Sequence, residues 1–155
     1  MRPRDLDTDP GQQRTRQLFE LSLKRDPDHA LSHALFAFSL AYSANVGAAR
    51  DAESKRTEAR DHVGRALSLE RRDPAVINSC VWALNHLGEI ERASTLAERA
   101  YEYFPIWDGS PISYALIERR EYARALTLLN EHLAYHPEPN PTARDGSDLP
   151  LERVI

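Results

Sequence analysis

The chain has 155 residues, of which 41% are hydrophobic and 28% are charged, and these values are typical of one globular domain with an apolar core. The formal net charge of −4 and the absence of a Lys- and Arg-rich run argue against a nucleic-acid partner. No segment approaches the roughly 18 apolar residues that a membrane span needs. A single cysteine, Cys80, excludes an internal disulfide framework and fits a reducing compartment. We therefore expect a cytoplasmic protein with no membrane partner.

The amino-terminal segment combines a polar stretch with one unpaired helix. Residues 1–11 are polar and contain two prolines, so we expect a flexible arm. From about Gln12 to Arg25, apolar residues recur at helical spacing, and the pattern ends at Asp26 and Pro27. This helix has no mate upstream to cover its apolar face, so it either caps an array of helices or belongs to a longer chain.

The next segment predicts a helical pair, from Asp28 to about Tyr42 and from about Ala52 to Leu69. The first helix is almost entirely apolar or small, so both its faces should be covered by neighbours. The link between the two helices is longer than a tight turn. We expect part of it to extend the second helix and the rest to form a polar loop.

The clearest unit is the stretch from Pro74 to Pro105, which predicts two antiparallel amphipathic helices. Asp73 and Pro74 supply a start signal, because the carboxylate accepts from free backbone amides and the proline lacks one. Gly88 can take the left-handed conformation that ends a helix. Small residues on the second helix let its partner approach closely: Ala93, Ala97 and Ala100.

A third pair follows, with Ser110 as a helix cap before a short helix that ends near Arg119. Its second helix is predicted from Glu121 to His136. Arg120 stands where the central unit has its glycine, which should weaken this turn. Residues 138–155 are rich in proline and polar residues and should be disordered. The helical domain therefore spans residues 12–137 and contains about seven helices.

The central unit resembles the tetratricopeptide repeat, a helix-turn-helix unit of about 34 residues. The residues that carry the resemblance are Gly88, Ala93, Ala100 and Pro105, whereas Ile77 and Val81 depart from the family pattern. The alternation over residues 12–137 also resembles degenerate repeats found beside bacterial adenylate cyclase catalytic domains and winged-helix transcription regulators. The resemblance implies an all-α, right-handed solenoid that serves as the sensory or assembly part of a bacterial signalling protein.

Catalytic and metal-binding motifs are absent from the sequence. There is no Gly-rich phosphate loop, H-E-x-x-H, G-x-S-x-G or cysteine pair, so we expect no enzyme activity and no cofactor. Two histidine pairs have i, i+4 spacing, His29 with His33 and His132 with His136, and each could hold half of a metal site. We favour surface or helix-end histidines that interact with the negative end of a helix dipole. Cys80 lies on the apolar stripe and reads as a small hydrophobe.

Aligning the repeats by their small residues places Phe36, Trp82 and Tyr114 at one equivalent position. In a solenoid this position faces the concave side, so these rings predict a surface that binds a peptide or a partner helix. The alternative for Phe36 is a core position. Polar neighbours precede or follow the rings by about one turn: Ser32, Asn78, Ser110, Ser39, Asn85, His86 and Glu118. This lining lacks the Lys and Arg set that would clamp a terminal carboxylate.

The sequence therefore predicts a non-catalytic scaffold for protein–protein interaction. Two alternatives stay open at this stage. One is a metal- or small-molecule-binding domain that uses the histidine pairs, and the other is a homo-oligomer formed through the open terminal helices.

Overall fold

The computed structural model describes residues 10–46, 51–103 and 110–135, and these residues form seven α-helices and no strand. The predicted all-α class is confirmed. The helices are α1 (Pro10–Arg25), α2 (Ala30–Val46), α3 (Ala52–Leu69), α4 (Pro74–His86), α5 (Ile90–Tyr103), α6 (Ser110–Glu118) and α7 (Tyr122–Tyr135).

Helix α1 begins two residues earlier than predicted and α2 runs four residues further than Tyr42, whereas α3 has the predicted bounds. Of the predicted arm over residues 1–11, Pro10 and Gly11 belong to α1, and the rest lies outside the described residues, as do the tail over 138–155 and Pro105 at the end of the central unit. Within the described residues, no helix combines the length and the apolar character that crossing a bilayer requires.

Helix α4 starts and ends at the residues whose local chemistry predicts a helix boundary. The Asp73 carboxylate accepts hydrogen bonds from the backbone amides of Ala75 at 2.8 Å and Val76 at 3.1 Å, and Pro74 follows as the first helical residue. At the other end Gly88 has a φ of 75°, which side chains other than glycine rarely adopt. Its amide donates to the Asn85 carbonyl at 3.0 Å, and this bond turns the chain into α5.

The turn between α6 and α7 repeats this geometry without a glycine. Arg120 has a φ of 63°, and its amide donates to the Ile117 carbonyl at 2.9 Å. The next amide, of Glu121, donates to the Leu116 carbonyl at 2.8 Å. The turn is therefore complete, and the arginine carries the backbone strain that glycine avoids in the preceding unit.

The packing order places α2, α4 and α6 beside one another, because α4 contacts both α2 and α6. Each of these helices also packs against the helix that follows it: α3, α5 and α7. The small residues predicted on α5, Ala93, Ala97 and Ala100, are buried in the core, and small residues of α3 and α7 are buried there as well: Ala59, Val63, Ala66 and Ala125. The predicted ridge of small side chains is confirmed, and it lets neighbouring helices approach closely.

Arg–Glu ion pairs link α1 to α3, α3 to the start of α5, and α5 to α7. Arg16 of α1 pairs with Glu58 of α3 at 2.9 Å, and Arg124 of α7 pairs with Glu98 of α5 at 2.8 Å. Arg60 of α3 reaches the residue that precedes α5, Glu89, at 2.7 Å. Exposed pairs of this kind contribute about 0–1 kcal/mol each, so they fix the register of the helices more than they stabilise the fold.

We expect Gly88→Ala to lower the free energy of unfolding by about 1 kcal/mol, because a Cβ disfavours the left-handed backbone. Such a loss lowers the melting temperature by roughly 2–4 °C in a chain of this size. Gly64→Ala is the matched control, since Gly64 lies inside α3 and an added Cβ meets nothing within 4 Å. That change should stabilise the protein by about 1 kcal/mol at most. Equal effects of the two substitutions on urea denaturation would contradict the assignment.

Candidate functional site

Five aromatic or imidazole rings form a continuous surface across α2, α4 and α6, which we call the aromatic surface: Phe38, Tyr42, Trp82, His86 and Tyr114. His86 connects the two halves, with ring centroids 5.6 Å from Phe38, 5.4 Å from Tyr42 and 6.3 Å from Trp82. Trp82 then reaches Tyr114 at 5.5 Å. Tyr42 is 44% exposed and Tyr114 is 38% exposed, so the outer rings of this surface face solvent.

Trp82 and Tyr114 are in ring contact, whereas the prediction that Phe36 shares their surface is wrong. Phe36 is 2% exposed and stacks on Phe19 of α1 with ring centroids 5.3 Å apart. Its ring also lies 4.8 Å from His62, and the Arg16 guanidinium lies 5.6 Å from its centroid. These contacts place Phe36 in the core between α1, α2 and α3, where it cannot meet a partner.

Helix α2 instead supplies Phe38 and Tyr42, which the sequence reasoning missed. Two residues along a helix correspond to a rotation of about 200°, so Phe38 and Phe36 point to nearly opposite sides. Because α2 is apolar on every face, its pattern does not show which phenylalanine faces which neighbour. The i, i+4 spacing of Phe38 and Tyr42 was the one available signal.

The predicted polar neighbours separate into buried and exposed groups. Asn85 is buried, so its amide cannot bond a partner directly as predicted. Asn78 is half-buried, and its Oδ1 atom has no hydrogen-bond partner among the residues that the structure describes. Leaving such an oxygen unsatisfied costs about 1–3 kcal/mol. Glu118, at the end of α6 and four residues after Tyr114, is exposed.

The environment of His86 makes the centre of the aromatic surface apolar. Burial lowers the pKa of His86, because removal from water disfavours the charged ring. Its backbone carbonyl accepts a hydrogen bond from the Asn45 side-chain amide, which ties the end of α4 to α2. At neutral pH the surface is therefore a neutral aromatic strip with tyrosine hydroxyls at its exposed ends.

The histidines do not form the pairs that their spacing suggested. His29 is exposed and its Nδ1 lies 2.7 Å from the Ser32 hydroxyl, whereas His33 is buried and contacts His62 of α3. Both His29 and His33 lie at the amino-terminal end of α2, so the expected interaction with the negative end of a helix dipole is wrong for them. The side chain of His132 and all of His136 lie outside the described part of the chain.

The partners of His33 indicate the direction of its hydrogen bond with His62 when His33 is neutral. The Nε2 of His33 lies 2.9 Å from the Pro27 carbonyl, which can only accept, so this nitrogen carries a proton. In neutral His33 the Nδ1 atom then accepts from the Nδ1 of His62 at 2.7 Å. Within the described residues, no three His, Cys, Asp or Glu side chains are grouped as a metal site.

Cys80 is buried in the core, as predicted for a small hydrophobe. Burial raises the pKa of its thiol to about 12, because the thiolate is disfavoured away from water. The thiol is therefore protonated at neutral pH and lies away from solvent.

We expect the melting temperature to fall as the pH is lowered from 7.5 to 5.5, in part because of His62. Burial and, to a smaller extent, the neighbouring His33 lower its pKa, while the carboxylates of Glu58 and Asp61 oppose this effect. The unfolded chain therefore binds more protons than the native protein below the ordinary histidine pKa of about 6.5. The contribution to stability is present above that pH and is lost as the pH falls.

His62→Gln should make the pH dependence of the melting temperature shallower. His29→Gln, at an exposed histidine, is the control that removes one imidazole outside this contact. Differential scanning fluorimetry over this pH range measures both slopes. Identical slopes for His62→Gln and wild type would contradict the role given to the buried ring.

No family model matches this chain, and no curated protein or solved structure matches it in the corresponding searches.

Proposed function

We propose that this chain is a non-catalytic, tetratricopeptide-like right-handed solenoid that binds a peptide or a partner helix through its aromatic surface. The observation that supports this function is the series of ring contacts that crosses α2, α4 and α6. Aromatic side chains dominate the binding energy of protein interfaces, because they bury a large area at a low cost in conformational entropy. A role in bacterial signalling and a cytoplasmic location belong to the same proposal and depend on the repeat resemblance.

The chemistry of the aromatic surface favours a bound peptide or helix that is mainly apolar and has polar residues along one edge. The rings of Phe38, Trp82 and His86 are half-buried and give a firm apolar floor, whereas Tyr42 and Tyr114 expose enough surface to meet a partner. The tyrosine hydroxyls supply hydrogen bonds at the margin. Glu118 adds one exposed carboxylate beside Tyr114, which suits a basic residue at the edge of the bound segment.

The test is a selection of peptides from a random displayed library, followed by titration of the selected peptide. The chain contains two tryptophans, so a Trp107→Phe background leaves Trp82 as the reporter of binding in fluorescence. We expect peptide binding to change Trp82 emission and Tyr42→Ala/Tyr114→Ala to raise Kd by about 30-fold. This factor corresponds to two interface residues that contribute about 1 kcal/mol each.

The matched control is Tyr122→Ala/Leu126→Ala, which truncates two side chains of α7 that are each 60% exposed. This variant should bind the peptide as tightly as wild type. If it loses binding while Tyr42→Ala/Tyr114→Ala retains it, the binding surface is on α7 and the proposal is overturned. Circular dichroism confirms that both variants keep their helical content.

Self-association is a second candidate function, because α1 and α7 both expose apolar side chains. Leu18 is 52% exposed and Leu21 is 47% exposed on α1, and Tyr122 and Leu126 are exposed on α7. A second copy could cover these faces, since burying apolar area is the main driving force of association.

If the terminal helices associate, the mass of the wild-type protein in light scattering should rise with concentration. Leu18→Ser/Leu21→Ser should then keep the monomer mass over the same range, because the apolar face of α1 is lost. The same changes should not affect peptide binding at the aromatic surface. A monomer mass for wild type at millimolar concentration would exclude this second function.

A further inference from the structure

A groove rimmed by arginines lies between α3, α4 and α5 and shares no residue with the aromatic surface. Its floor is apolar and contains Leu67, Ile77 and Leu96, and its rim carries Arg71, Arg72 and Arg99. The groove encloses about 430 Å³. Small-molecule sites typically have volumes of about 300–1,000 Å³, mostly apolar walls and a few fixed polar groups, so this groove has the general form of such a site.

Among the side chains that the structure describes, neither Arg71 nor Arg99 pairs with a carboxylate. Arg99 makes no hydrogen bond or ion pair with any described residue, and Arg71 donates only to the Leu67 backbone carbonyl, at 3.1 Å. Two carboxylates of α5 pair with arginines outside the groove: Glu91 pairs with Arg119 at 3.4 Å, and Glu98 pairs with Arg124 at 2.8 Å. The rim therefore has a local excess of positive charge on a chain of net charge −4.

The apolar floor continues beyond this groove. A second depression of about 330 Å³ shares Leu67, Leu96 and Arg99 with it and extends along α5 towards Thr95 and Arg92. Arg92 lines this second depression and pairs with Glu89. The second depression therefore has less unpaired positive charge than the first groove. The two depressions together are elongated and have an apolar floor; Arg71 lines the first, Arg99 lines both, and Glu91 adds a carboxylate to the second.

We propose that this groove binds a medium-chain aliphatic carboxylate. The carboxylate meets Arg71 and Arg99, whose guanidinium groups can each bond both carboxylate oxygens, and the alkyl chain lies over Leu67, Ile77 and Leu96. Charge complementarity at one end and an apolar floor along the rest distinguish this ligand from a short anion and from an uncharged lipid.

The probe is sodium decanoate, titrated against the full chain by isothermal calorimetry below the concentration at which decanoate forms micelles. We expect saturable binding of one molecule per chain. Octanoate should bind roughly tenfold more weakly, because two buried CH₂ groups are lost. Decanol, which lacks the charge, should also bind at least tenfold more weakly, and acetate should not bind.

The variant that tests the rim is Arg71→Gln/Arg99→Gln, which should raise the Kd for decanoate at least tenfold. Arg14→Gln is the matched control, because it removes an exposed arginine from α1, outside the groove. A second variant, Gly64→Leu, places bulk in the groove from α3 and should block binding without removing charge. Thermal melts show whether each variant is folded.

The proposal is overturned by the absence of saturable binding at millimolar decanoate, or by equal affinity of wild type and folded Arg71→Gln/Arg99→Gln. Equal affinity for decanol and decanoate would show a non-specific apolar surface and would also overturn it. The variant Tyr42→Ala/Tyr114→Ala should bind decanoate normally. Failure of the carboxylate site and failure of the aromatic surface are therefore separate outcomes.

Discussion

The close approach of helices along rows of small side chains is the constraint on which the rest of this structure depends. Ala59, Val63 and Ala66 of α3 are fully buried in the core, and α5 buries its small residues in the same way. Because these side chains add little bulk, α2 packs tightly on α3 and α4 packs tightly on α5. A larger side chain at any of these positions would separate two helices and disturb every contact that follows along the array.

This packing leaves two surfaces with different chemistry. The aromatic surface is uncharged at neutral pH, because burial lowers the pKa of its central histidine, His86. The groove between α3, α4 and α5 is lined by arginines, and among the described side chains Arg71 and Arg99 have no carboxylate partner, while Glu91 and Glu98 pair with other arginines. The two surfaces share no residue, so a ligand at one would not occupy the other.

Much of the helical organisation follows from local chemistry. The helix start at Asp73 and Pro74 and the turn at Gly88 depend on capping bonds and backbone conformations that nearby residues determine, so the sequence predicts them. The turn at Arg120 shows the limit of this reasoning. The sequence predicts a weakened turn there, but the same carbonyl bonds form, because the packing of α6 and α7 holds the arginine in a strained conformation.

The sequence by itself determined the all-α class, the seven helices of the described residues, the buried row of small residues and the buried position of Cys80, since each depends on periodicity or residue size. Only the tertiary structure decided which rings share a surface. It buried Phe36 against α1, brought Phe38 and Tyr42 to His86, and paired His33 with His62 across two helices. An apolar helix such as α2 has no polar face to orient it, so its neighbours set its rotation, and those neighbours are distant in sequence.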